Sequence, residues 1–90
     1  MREVVWSSAI KRDARLLAKQ GKKLEKLESI IKSLVAGTKL PAKLRDHALT
    51  GKYKGFRDLH VEPDWVLIYQ VDDDAVYLYR MGSHSDLFKK

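Results

Sequence analysis

The stretch from Phe56 to Met81 most constrains the fold, because it reads as three consecutive strands joined by two short reversals. Phe56–Val61, Trp65–Val71 and Ala75–Gly82 are rich in β-branched, aromatic and aliphatic residues. Glu62-Pro63 interrupts the first pair and Asp72-Asp73-Asp74 turns the second. If Val71 pairs with Ala75, antiparallel register sets Val66 opposite Arg80 and Asp64 opposite Gly82. His84 then lies just beyond, and His60 arrives on the neighbouring strand. His60, Asp64, Arg80 and His84 are therefore expected at one end of one small sheet, in a chain with three histidines. Two imidazoles, a carboxylate and a guanidinium suit proton transfer around a phosphate.

The segments before the hairpins add helices. Glu3–Trp6 predicts a first strand, and Ser7 or Ser8 offers a helix N-cap. Ile10, Ala14, Leu17 and Ala18 follow at helical spacing, and Gly21 is a natural stop. A second helix is expected from about Lys23 to Ala36, with Leu24, Leu27, Ile31, Leu34 and Val35 on one face and Gly37 at its end. The link at Gln20–Lys22 is short, so the helices should form an antiparallel hairpin. Thr38 to Thr50 reads as a looser connection, and Ser83–Lys90 as a polar tail. The order β-α-α-β-β-β predicts an α+β fold, with the helical hairpin on one face of a mainly antiparallel sheet. The other face is left open for a site.

At 90 residues the chain is expected to be a single domain, 1–90, with one core. It contains no cysteine, which excludes a disulfide scaffold and thiolate chemistry and fits a reducing cytoplasm. Met1–Ile10 does not resemble a signal peptide, and no apolar run approaches membrane-spanning length, so a cytoplasmic protein is expected. The net charge of +6 is uneven: residues 1–45 carry 12 Lys/Arg against 4 acids, and residues 46–90 carry 6 against 8. The basic half suits a polyanion, although a lysine-rich helix surface is also commonplace.

Each candidate has an ordinary reading beside the chemical one. His47 sits in a loop and His60 in a strand, where most histidines are merely structural. Asp64 follows Pro63 as many turn carboxylates do. Arg80 interrupts an apolar strand and needs an anionic partner, either Asp64 or a substrate phosphate. Trp65, Tyr69, Tyr77 and Tyr79 lie at strand spacing and read mainly as core. Phe88 either packs back onto the sheet or offers a stacking surface for a base. A metal site fits poorly: positions 47, 60, 64 and 84 match no compact ligand signature, and Arg80 would repel a cation. No Gly-rich phosphate loop or G-x-S-x-G element is present.

Two longer segments carry a resemblance. His47-Ala48-Leu49-Thr50-Gly51-Lys52-Tyr53-Lys54-Gly55-Phe56-Arg57-Asp58-Leu59-His60-Val61-Glu62-Pro63-Asp64-Trp65-Val66-Leu67-Ile68-Tyr69 strongly resembles the YafQ family, and so does Arg80-Met81-Gly82-Ser83-His84-Ser85-Asp86-Leu87-Phe88. YafQ proteins are a branch of the RelE-type toxins of type II toxin–antitoxin modules. The resemblance implies a RelE-like fold and a ribosome-dependent endoribonuclease that cuts mRNA in the A site, at adenine-rich lysine codons. It implies a cognate antitoxin and contact with ribosomal RNA, with a free toxin that is monomeric. Carried over residue by residue, it marks His47, His60, Asp64, Arg80 and His84 as catalytic and Trp65 and Phe88 as substrate-binding.

The residues permit that chemistry without a metal or other cofactor. RNA can be cut by its own 2′-OH, given a base for that hydroxyl, a cation for the phosphoryl charge and an acid for the departing 5′-oxygen. Arg80 is expected on the phosphate and His84 as the acid. The base is His60 or His47, with Asp64 orienting an imidazole or taking the proton itself. Two competing classes are a ParE-like gyrase toxin of the same superfold, which would lack the histidines, and an RNA-binding module with a structural Arg80–Asp64 pair.

Overall fold

The computed structural model describes residues 2–88. The elements run β1 (Glu3–Trp6), α1 (Ser8–Lys19), α2 (Leu24–Ala36), β2 (His47–Ala48), β3 (Arg57–Glu62), β4 (Trp65–Val71), β5 (Ala75–Gly82) and α3 (His84–Leu87), with 3-10 turns at Ala42–Leu44 and Gly51–Tyr53. The five strands form one sheet in the order β1-β5-β4-β3-β2, parallel between β1 and β5 and antiparallel elsewhere. This is the expected α+β arrangement, with two additions: β2 lies inside the supposed loose connection, and the supposed tail coils into α3.

Local chemistry explains the element ends. Ser7 caps α1, its hydroxyl accepting from Ile10 N at 3.0 Å and donating to Tyr79 O at 2.6 Å. Gly37 ends α2 at φ 74°, a left-handed conformation that costs glycine little. Ser83 and Asp86 form a reciprocal capping box that nucleates the single turn of α3. Without it, four residues would not hold a helix.

α1 and α2 cover one face of the sheet. Ile10, Leu17, Leu27, Ile30 and Leu34 from the helices meet Leu59, Trp65, Leu67, Tyr69, Val76, Leu78 and Met81 from the strands. The opposite face carries a smaller cluster: Val66, Ile68 and Leu87, with Leu49, Tyr53, Phe56 and Phe88 packed against it. The face left by the helices is thus half covered by α3 and the segment before β3.

The β4–β5 register differs from the expected one. Val71 pairs with Val76, and Val66 lies opposite Gly82 rather than Arg80. A β-bulge accounts for half of this, since the register shifts where Tyr69↔Leu78 gives way to Ile68↔Arg80. Strict alternation would send Arg80 to the core face with Val76 and Leu78. The extra residue, Tyr79, restores Met81 to the core and turns Arg80 away from it. Avoiding a buried guanidinium in the core is the physical reason for the bulge.

Candidate active site

β3 alternates Leu59 and Val61 into the helical core, so Asp58 and His60 point to the opposite face. His60 pairs across the ladder with Val66, beside the irregular turn that carries Glu62, Pro63 and Asp64. Glu62 anchors that turn: Lys22 Nζ lies 3.1 Å and Lys26 Nζ 2.7 Å from its two oxygens, and these bonds hold its carboxyl below the usual range. Asp64 follows and receives two hydrogen bonds through Oδ1, from His84 N at 3.1 Å and His84 Nδ1 at 2.8 Å. Both bonds favour the ionised form, so the Asp64 carboxyl also sits below its ordinary value. The His60 and His84 rings stand 5.1 Å apart, edge to face. These three expected residues are brought together.

His47 arrives from β2, opposite Asp58. Its Nδ1 lies 2.8 Å from Arg45 O and 3.0 Å from Asp58 Oδ1, and the ring is 56 % exposed. Of these two oxygens Arg45 O is the hydrogen-bond partner, and in the tautomer whose Nδ1 donates to it Nε2 is the ring's acceptor, while Asp58 Oδ1 has no hydrogen-bond partner among the described residues. Arg45 adopts a left-handed φ of 53° to present that carbonyl. Asp46 holds the strand in place, accepting from Arg57 Nε at 3.2 Å, from Arg57 Nη2 at 3.0 Å and from the Tyr69 hydroxyl. Burial and that bond together push the Tyr69 phenol up.

Arg80 does not meet Asp64. Its partner is Asp13 on α1, whose carboxylate accepts from Arg80 Nε at 2.7 Å, from Arg80 Nη2 at 3.2 Å and from Met81 N at 3.0 Å. Hydrogen bonding to the Asp13 carboxylate raises the already basic guanidinium further. Asp13 does not engage Nη1. Arg80 lines a hollow of about 420 Å³ with Lys52, Tyr53 and Phe88, whereas His60 and His84 line a cleft of about 640 Å³ with Lys43 and Arg45. Phe88 links the two halves, 6.4 Å from the His84 ring and 5.8 Å from Tyr53. It packs back onto the sheet cluster, one of the two expected readings, and also lines the hollow.

Trp65 is a correction. It is 0 % exposed, in the helical core with Leu67 and Tyr69, and touches no substrate surface. The alternation of β4 sends it inward, away from His60. Its indole N–H is buried without a partner among the described residues, at a cost of about 1–3 kcal/mol.

Two residues escaped the sequence reading. Asp13 is a lone acid among the basic residues of α1 and gave no sign of its target. Asp58 is a carboxylate with only 4 % exposure, on the same face as His60 two positions away. Burial pushes its carboxyl up, and the nearby His47, His60 and His84 pull it partly back. That i, i+2 spacing to His60 was the available signal. Among the described residues no group of three or more His, Asp or Glu side chains is arranged to hold a metal ion. Nor, among the described residues, is any helix long and apolar enough to cross a membrane.

The five-stranded α+β domain is the fold of solved bacterial toxins. A family model described as "Bacterial toxin of type II toxin-antitoxin system, YafQ" matches residues 2–89. The chain belongs to the YafQ toxin family. It is 41 % identical over 88 residues to the mRNA interferase toxin YafQ of Escherichia coli K12, covering 97 % of this chain and 96 % of that protein. The toxin in the E. coli DinJ–YafQ toxin–antitoxin complex superposes with a TM-score of 0.89 at 40 % identity, covering 97 % of each chain. A copper-bound mutant toxin from Helicobacter pylori superposes with a TM-score of 0.93 at 38 % identity, over 98 % of this chain and 100 % of that one.

Proposed function

We propose that this toxin is an endoribonuclease of the mRNA-interferase kind, cutting mRNA in the ribosomal A site with a preference for adenine-rich lysine codons. The observation that carries this reading is the His60–His84 pair at 5.1 Å, with Asp64 on His84 Nδ1 and the Arg80–Phe88 hollow alongside. It is supported by the relatives named above.

The reaction is transesterification. The ribose 2′-oxygen forms a bond to phosphorus, the bond to the 5′-oxygen breaks, and a 2′,3′-cyclic phosphate and a 5′-hydroxyl result. A base must take the 2′-OH proton. His47 suits this in the tautomer whose Nδ1 donates to Arg45 O, since Nε2 is then the acceptor. His60, nearer His84, is the other candidate, and Asp64 is committed to His84 rather than to either base. Asp64 accepts from His84 Nδ1 and holds the ring's orientation, and His84 serves as the acid for the 5′-oxygen. Arg80, oriented by Asp13, takes the extra phosphoryl charge, and Phe88 stacks a base. None of these steps requires a metal or other cofactor.

The net charge of +6 favours contact with ribosomal RNA and with an acidic antitoxin segment. We take the toxin to act in the cytoplasm as one domain over residues 1–90, monomeric when free of its antitoxin. The test is cleavage on ribosomes programmed with a lysine codon in the A site, with the product ends identified. A 2′,3′-cyclic phosphate or 3′-phosphate with a 5′-hydroxyl is expected. A 5′-phosphate, or no cleavage of ribosome-bound mRNA, would overturn the reading.

A further inference from the structure

A groove of about 380 Å³ runs between α2 and the 3-10 turn at Ala42–Leu44 and takes no part in the chemistry above. Its floor is apolar, formed by Ile30, Leu44 and Val61, and the hydroxyls of Ser29 and Ser33 stand on its α2 wall. Lys26 and Lys43 border it. The groove is continuous with the His60–His84 cleft, since Lys26, Lys43, Leu44 and Val61 line both. It shares no residue with the Phe88 hollow.

We propose that this groove is a second nucleotide subsite, holding the base that lies across the scissile phosphate from the one stacked on Phe88. The proposal rests on the ribonuclease reading and deepens it. A nucleobase is flat and apolar on its faces and polar at its edge, and the groove offers an apolar floor with two hydroxyls at one side, that of Ser33 donating to Ser29 O at 3.4 Å and so open as an acceptor. Charge agrees with an RNA occupant. The cleft and groove together are lined by Lys26, Lys43 and Arg45, and their one acid, Glu62, is already held by Lys22 and Lys26. Lys43 is exposed at the junction of the two, where the phosphate joining adjacent nucleotides must pass. Single strands bind through this pairing of a basic track with base-sized platforms. Ser29, Ser33 and Lys43 are thereby substrate-positioning residues, distinct from the groups that move protons.

The test uses the full-length toxin, programmed ribosomes and mRNAs carrying one abasic ribose at each position around the cleavage site. For the native toxin, one abasic position besides that read by Phe88 should slow single-turnover cleavage about tenfold. Ser33→Phe fills the groove from α2 without entering the core. It should slow cleavage of intact mRNA by a similar factor and abolish the further loss at that one abasic position. Lys43→Ala supplies an independent cycle against mRNA with the adjoining phosphate replaced by a neutral methylphosphonate, and it tests the proposal even if Ser33→Phe folds poorly. Additive losses in both cycles would overturn the subsite. So would a Ser33→Phe toxin that cleaves normally but no longer binds its antitoxin, since the groove would then be a protein-docking surface. Failure of the native toxin to cut intact mRNA is a separate result that sinks the ribonuclease reading itself.

Discussion

Asp13 holds Arg80, and removing it should damage both stability and cleavage. The carboxylate makes three hydrogen bonds, to Arg80 Nε, Arg80 Nη2 and Met81 N, with side-chain exposures of 13 % for Asp13 and 35 % for Arg80. A fully buried pair loses about 3–5 kcal/mol when one partner is deleted, and an exposed pair contributes about 0–1 kcal/mol. This pair is intermediate, and water screens the outer guanidinium. A loss of about 2 kcal/mol for Asp13→Ala is therefore expected, or a fall in Tm of roughly 8–16 °C for a domain this small. Cleavage should fall too, because a loosened guanidinium no longer meets the phosphate in a fixed fork. Arg80→Ala should cost about 10²–10³-fold in turnover, and Arg80→Lys should recover only part of it. The decisive assay is the double-mutant cycle, read by thermal melts and by single-turnover cleavage. In the Arg80→Ala background, Asp13→Ala should cost little more by either measure. Melting effects that add within about 0.5 kcal/mol would refute the coupling. So would an Asp13→Ala toxin that melts early but cleaves at the native rate, since Arg80 would then act without its anchor.

His84→Ala should slow single-turnover cleavage by about 10²–10⁴-fold while the core stays folded, as judged by circular dichroism; full cleavage would remove His84 as the acid. Asp58→Asn should raise the melting temperature near pH 7. Burial lifts the folded-state carboxyl above its unfolded value of about 3.9, so stability present below that value is lost as pH rises through the folded pKa, and Asn escapes the loss. Melts from pH 3 to 8 should show the variant's advantage growing with pH; a lower Tm at pH 7 would mean that attraction from the histidines outweighs burial. Trp65→Phe should leave cleavage intact, whereas Trp65→Ala should cost about 3–5 kcal/mol in chemical denaturation; a cleavage defect in a stable Trp65→Phe toxin would return Trp65 to the substrate surface.

What the sequence disclosed, and what it withheld, follows from the range of the forces involved. The hairpins and both long helices are written locally, in the continuous apolar run Trp65–Tyr69 between two turn segments, in the Ser7 cap and in the Gly37 stop. Ser83 and Asp86 spell a capping box just as locally, yet a four-residue helix falls below the length at which periodicity speaks. β2 is invisible for a related reason: two residues have no pattern, and Asp46 secures them through Arg57 and Tyr69, distant in sequence. The Arg80–Asp13 pair spans 67 positions and could not be read from either end. The bulge that makes it possible was nonetheless legible. Val76 and Leu78 are core residues two apart, and the next is Met81, three further on. A strand that must bury all three has one residue too many, and the residue it must then turn outward is the arginine. The irregularity in the apolar pattern and the placement of the proposed phosphate-binding cation are the same event: packing demands put Arg80 beside Phe88 and within reach of α1, where a helix acid fixes its fork.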